Sequence, residues 1–584
     1  MLVACAHDFR TRESERFLAR LSASVGRPNT TLEDSSWALW AWPPASVDLT
    51  RTSVIEGWLD LQGPITLTSV RQAGGDFALA APMHDGLLLA AGPAGGHRPI
   101  FVARPSSSSL LASTRLSALL RVLPPRCALD LDFLAASIVH FGGYPSSKTP
   151  YRNIQRLPLG EAWLALRDGN QERLSTFRPL AARELRVSER DTAVLFREAL
   201  TSSVRRAIQG ARRVAVAVSG GLDSSAVFSI AQSLANAGDL ADPPLGLAFD
   251  FDAPSAGDDR AYWQSLAEHL KVNILGITPG EASGFLRPQL VLDAIPCRAA
   301  TTALSVTLAK RALEQGVGVV LSGVGGDDVA NGQLALFGDL VRKGRLRAAT
   351  TALLGMRGLY HMGKAHRLRY LALTSMRPFV PSMVKRAAWA REMNGMYPWA
   401  GPRLRRHLRD VATVWISAPR PSLDDEPSER YRKLLALPIF RFIHLIRHQE
   451  EAAGGNIRRD PFLDDEFLRF VATLPAFSLM QGGFLRGLLR ESMRGLLPER
   501  VRLRETKGYV AYAIMQMVAA AGGSRVIEDL SDVRMLADLQ IIEPKPFQRH
   551  FKRILREPFC IGLGGFWPAI AAEAFVRQHA GEGL

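Results

Sequence analysis

The chain has 584 residues, 47% of them hydrophobic and 22% charged, which excludes a disordered or fibrous polymer and is too long for one ordinary domain. Lysine and arginine outnumber the acids by 72 to 56, a formal charge of +16 that is compatible with an anionic substrate, an acidic membrane surface or nucleic acid. Cys5, Cys127, Cys297 and Cys560 lie far apart without a Cys-x-x-Cys pair, so neither a zinc site nor a disulfide framework is expected.

Asp8 and Arg10 stand too early for a signal peptide, and no apolar run reaches the roughly 18 residues of a membrane span. A cytoplasmic protein without a transmembrane segment is expected. Residues 1–180 carry short apolar runs such as FALAAP, GLLLAAG and PIFVAR between Gly, Pro and Asp turns, the pattern of a β-rich domain. The polar stretch STFRPLAARELRVSERD, residues 175–191, is a linker candidate. DTAVLFREALTSSVRRAI then repeats apolar residues at helical spacing.

A second domain is expected over 181–584. Its first part alternates strands (VAVAV, LGLAF, VNILGI, VGVVLSG) with helices (from about Asp223, DDRAYWQSLAEHL, TTALSVTLAKRALEQG). That alternation predicts an α/β fold with a doubly wound parallel sheet. Beyond about residue 335 the chain reads as mainly helical. From Arg342 to Arg409 it holds sixteen Lys or Arg and one acid, Glu392, either a solvated basic face or a docking surface.

Strand VAVAV ends at Val218 and runs into Ser219-Gly220-Gly221, with a helix following near Asp223. Ligands of α/β sheets sit at carboxyl ends of strands. Glycines there let the backbone approach an anion, and successive amides, a helix N-terminus and the hydroxyls of Ser219, Ser224 and Ser225 stabilise it. Asp223 would repel phosphate, a conflict that magnesium between them removes. A second strand end, VVLSGVGGDDVANG, supplies Ser322 and Gly323 toward the nucleotide. Its Asp327 and Asp328 either hold a second magnesium or complete the first site.

Ser-Gly-Gly-Leu-Asp-Ser-Ser resembles the pyrophosphate loop of the ATP pyrophosphatases. The resemblance implies that ATP is cleaved between its α- and β-phosphates, adenylating a substrate oxygen. The second loop, the acidic helix start GDDRAYWQSLAEHL, the PFLD segment at Pro461–Asp464 and the basic RVRLRETKGY with Lys507 narrow it to asparagine synthetase. The resemblance implies nucleotide contacts from Val218, Ser219, Gly220, Gly221, Asp223, Ser224, Ser225, Phe249, Ser322 and Gly323. It implies magnesium on Asp223 and Asp327, and catalytic roles for these two and for Lys507, whose ammonium stabilises charge near the α-phosphate. GGDFALAAPMHDGLLLAAGPAGGHRPIFVAR, LASTRLSALL and KTPYRNIQRLPLGEAWLA resemble the class II glutamine amidotransferases, an Ntn-type domain.

Two departures matter. Residue 2 is Leu where an amidotransferase uses an N-terminal Cys, so glutaminase activity is not expected of a domain degenerate in this way. Val324 stands where asparagine synthetase has Glu, and Ile457 replaces the usual Glu before PFLD. The combination most resembles the lasso-peptide cyclases. This implies that an Asp or Glu side chain of a linear core peptide is adenylated and attacked by the peptide's own N-terminal amine, forming a macrolactam. Expected partners are that peptide and the leader-removing protease of the same pathway, with no nucleic acid. The alternatives are another amide-forming synthetase (β-lactam or ammonia-dependent asparagine synthetase type), a transfer-RNA modifying enzyme, and a non-catalytic scaffold.

Overall fold

A computed structural model describes residues 1–6, 18–23, 27–33, 37–41, 46–47, 53–60, 64–84, 86–92, 98–106, 109–123, 127–139, 147–158, 160–166, 170–176, 178–251, 259–297, 300–357, 365–366, 368–369, 372–373, 379–417, 422–437, 439–505, 510–556 and 563–581. The chain is α/β, with a β-rich N-terminal part and a parallel sheet behind it, as expected. The N-terminal part stacks two six-stranded antiparallel sheets. Alternating side chains explain the stacking: Leu2 and Ala4 point into the layer between the sheets, with Leu89, Ile100, Leu110 and Trp163, whereas Val3 joins the layer beyond. Val70, Phe77, Leu79, Leu88 and Leu164 make a third apolar layer, which the short helix Leu67–Gln72 helps to form.

The linker candidate has no regular structure over 178–188, yet it is tied down. Leu185 N–H donates to the Thr473 carbonyl at 2.8 Å, and Arg469 Nη2 donates to the Arg178 carbonyl at 2.6 Å. Ser188 then caps the helix Glu189–Ile208 by accepting from Asp191 N–H.

Five parallel strands follow: β1 Ala215–Ala217, β2 Leu245–Phe249, β3 Ile274–Ile277, β4 Val319–Leu321 and β5 Ile457–Arg459, in spatial order β3-β2-β1-β4-β5. Chain order reverses between β1 and β4, so their carboxyl ends flank the crevice where such sheets bind ligands. The helices Leu222–Asn236, Arg260–Leu270 and Ala300–Glu314 fall where the periodicity predicts them, within a few residues. After 335 the chain is mainly helical, as expected, with the short strand β5 among its helices. Three residues, Ile-Arg-Arg, are too few for periodicity to register, and pairing with β4 makes them a strand. Among the described residues no single helix is long and apolar enough to cross a membrane.

The two halves are joined by buried charge. Asp293 and Ala294 both have positive φ, 48° and 57°, forming the tight turn of the small hairpin Val291–Leu292/Ile295–Pro296. This turn aims the Asp293 carboxylate at the N-terminus of the helix Leu116–Leu120. It accepts from Leu116 N–H at 2.8 Å, Ser117 N–H at 3.0 Å and Ser117 Oγ at 2.5 Å. His448 Nε2 lies 2.8 Å from its other side. Arg98 Nη1 donates to Glu451 Oε2 at 2.8 Å, and Glu451 Oε1 accepts from Arg458 N–H at 2.8 Å, so the N-terminal part is coupled to β5.

Burial by itself would raise the Asp293 pKa, but the hydrogen bond and charge of His448, the charge of Arg115 and the Ser117 hydroxyl outweigh it and hold the carboxyl below the usual range. Its stabilising contribution is therefore present above the unfolded-state pKa, about 3.9, and is lost as pH falls through the lower folded value. Removing the carboxylate in Asp293→Ala is expected to cost roughly 3–5 kcal/mol in denaturant unfolding at neutral pH. The difference from the parent chain should persist down to about pH 5 and narrow below about pH 4.

Candidate active site

The ends of β1, β2 and β4 open into a cavity of about 490 Å³, within the range of small-molecule sites. Of the residues expected at the nucleotide, Val218, Ser219, Gly221, Asp223, Ser224, Phe249, Ser322 and Gly323 line it, with Asp327 and Asp328. Gly220 and Ser225 do not. Gly220 turns the loop, its carbonyl accepting from Arg504 Nη1 at 3.1 Å, and Ser225 is fully buried. Lys507 lies outside the described residues. What is described is the approach to it: Arg490 donates to the carbonyls of Arg502 at 2.5 Å and Arg504 at 2.7 Å. Burial and the neighbouring Arg486 lower the Arg490 pKa to about 10.

The two glycine loops touch directly. A Cβ on Gly323 would lie 2.4 Å from Ser224 N and 2.7 Å from the Asp223 carbonyl carbon. A Cβ on Gly325, whose φ is 93°, would lie 2.3 Å from Leu463 Cδ2. The acidic loop is thereby wedged between the nucleotide loop and the PFLD segment. The helix Leu222–Asn236 begins at Gly221 with no side-chain cap, so its first-turn amides are left to a ligand or water. Ser219 Oγ and Ser224 Oγ stand 3.0 Å apart at its mouth. These donors fit a polyphosphate.

The two expected metal ligands converge on one cation. Arg486 Nη1 is 2.7 Å from Asp223 Oδ2 and 2.8 Å from Asp327 Oδ1. Two carboxylates that share one nitrogen at these distances also have the spacing and chemistry to share a hard divalent cation, so the donor set fits magnesium. The guanidinium performs that neutralisation here. Arg504 makes a parallel arrangement, donating to Asp259 Oδ1 at 2.6 Å while lying 3.8 Å over the Tyr262 ring.

Deeper in, the cavity wall changes character. Ser322 Oγ donates to Asp460 Oδ1 at 2.5 Å and accepts from Val324 N–H at 3.0 Å. Arg447 donates through Nε to Asp460 Oδ2 at 2.8 Å, through Nη1 to Glu450 at 2.5 Å and through Nη2 to Ser322 Oγ at 2.9 Å. Phe251, Trp263, Leu308, Val324 and Ala513 add apolar side chains to the lining, as does the more exposed Val510. Sequence reasoning missed Arg447, Arg458, Arg486 and Arg504. A single arginine carries no distinguishing mark in so basic a chain, although Arg458 and Asp460 adjoin the PFLD segment and Arg504 lies within RVRLRETKGY.

Adding one methyl group in Gly323→Ala must separate two backbones, which no rotamer change can relieve. It is expected to lose nucleotide binding, measured by calorimetry, and to cost roughly 1–3 kcal/mol in stability. Gly318→Ala, whose Cβ would meet nothing within 4 Å, is the matched control and should leave binding near the parent value.

The asparagine synthase family model matches residues 195–559. No curated protein gives a significant match. Among solved structures the chain is similar to the allosteric regulatory enzyme of purine biosynthesis at 11% identity, over 60% of this chain and 72% of that one, with a TM-score of 0.17. The matched span takes in every loop and strand that builds the cavity, and the chain belongs to the asparagine synthase family, whose members form amide bonds at the expense of ATP.

Proposed function

We propose that the protein is a lasso-peptide cyclase. It adenylates an Asp or Glu side chain of a linear core peptide and closes a macrolactam with the peptide's N-terminal amine. The observation that carries this reading is the acceptor wall. Val324 and the apolar side chains of Phe251, Trp263, Leu308, Val510 and Ala513 line the cavity beside the nucleotide loops. Such a wall suits a peptide better than aspartate and ammonia, which are small and fully hydrated.

In the proposed reaction a carboxylate oxygen attacks the α-phosphorus and pyrophosphate leaves. The amine then attacks the acyl carbon, AMP leaves, and the amine's proton goes to solvent or to AMP. The uncapped helix start at Gly221 and the hydroxyls of Ser219 and Ser224 would orient the phosphates. Asp223 and Asp327 would hold magnesium, which neutralises the leaving pyrophosphate. Arg486, already beside both carboxylates, would remain within reach of that charge. Amine and carboxylate belong to one folded peptide, so ring closure is intramolecular and avoids the entropy of a second encounter.

The assay is incubation with ATP, magnesium and a leaderless linear peptide bearing an internal Asp or Glu. The expected outcome is AMP together with a product lighter by one water and resistant to aminopeptidase. AMP formed with free aspartate and ammonia, and none with peptides, would replace this reading with an ammonia-dependent asparagine synthetase. Asp223→Asn should lower the AMP-forming rate by roughly 100-fold or more in either case.

A further inference from the structure

Two arginines form the inner end of the cavity, and their states differ. Arg447 spends all three guanidinium nitrogens on Asp460, Glu450 and Ser322. Arg458, on β5, is 3% exposed and also lines the cavity. Its side chain makes one hydrogen bond among the described residues, from Nη2 to the Ser305 carbonyl at 2.9 Å. Its Nε has no hydrogen-bond partner. The nearest carboxylate oxygen, Glu450 Oε2, is 3.6 Å from that Nε, too far to accept from it, and is already taken by Arg447 Nη1 at 2.5 Å.

A buried guanidinium with unused donors is costly unless something completes it. Glu450 pairs with its charge at 3.6 Å but, among the described residues, no carboxylate accepts a hydrogen bond from its side chain. Asp223 and Asp327 are gathered by Arg486, and Asp259 by Arg504, at the nucleotide loops. The neighbours of Arg458 are Ser305, which it bonds, and Glu450, which it shares with Arg447, itself bonded to Ser322. The Nη donors not spent on Ser305, on a planar side chain that lines the cavity, match the oxygens of a carboxylate better than any other common group.

We propose that Arg458 is the binding residue for the carboxylate of the acyl substrate, docking it at the inner end of the cavity beside Ser322. This rests on the amide-forming reading above and extends it to the residue that holds the substrate. The carboxylate enters as an anion and needs a cation to leave water for this depth. Once the carboxylate has become an amide its charge is gone, so the product fits the fork less well than the substrate does and is released.

The test is calorimetric titration of the full chain with N-acetyl-glutamate α-amide and N-acetyl-aspartate α-amide, each against its carboxamide counterpart, in the presence of α,β-methylene ATP. The parent chain is expected to prefer the carboxylate by roughly tenfold or more. Arg458→Met should abolish the preference, and Arg458→Lys should retain part of it, since the charge remains while the fork is lost. Titration with the nucleotide analogue alone reports folding; if Arg458→Met fails that control, Arg458→Lys and Arg458→Gln decide. A parent chain without the preference, or a folded variant that keeps it in full, would overturn the proposal. Carboxylate preference without peptide cyclisation would overturn the reaction and leave Arg458 standing. Peptide cyclisation at an unchanged KM in Arg458→Met would do the reverse.

Discussion

The closeness of two loops is the constraint on which the site depends. The turns after β1 and β4 approach until no Cβ fits at Gly323 against the backbone of Ser224. Parallel pairing of β1 with β4 brings the loops side by side, and glycine lets them close the remaining gap. Two carboxylates from different loops, Asp223 and Asp327, then face one another near an uncapped helix start. Like charges so placed repel, and Arg486 offsets that repulsion within the protein itself.

The same economy of charge recurs away from the nucleotide loops. Arg98 and Glu451 join the N-terminal sheets to β5, and Asp293 joins a hairpin turn to both a helix start and His448. These groups are buried, so losing one partner strands the other in a poorly solvated place. The N-terminal part is thereby fastened to the strand that carries Arg458. Part of the surplus positive charge is matched nearer the surface, where Arg342, Lys343 and Arg405 are paired with Asp339, Asp424 and Glu543.

Much of the fold was legible because its signals are local. Apolar runs ending in Gly-rich turns mark the strands, and helical spacing marks the helices between them. Eight of the ten residues expected at the nucleotide line one cavity, because the two loops that carry them are local signals as well. Ser225 illustrates the limit. It follows Ser224 directly, yet a helix turns successive side chains by about 100°, so one faces the cavity mouth while the other is buried.

The sequence by itself determined the order of strands and helices, the two glycine loops and the uncharged Val324 and Ile457, because each is a property of neighbouring residues. Only the tertiary structure decided which cations meet these loops. Arg486 reaches Asp223 from 263 positions away, and Arg447 reaches Ser322 from 125. It also made a strand of Ile457–Arg459 through pairing with β4, and so brought Arg458 to the cavity. A guanidinium carries the same charge wherever it stands in a chain; its partners, and any donor left over, are set by which buried groups the packing brings within hydrogen-bond reach.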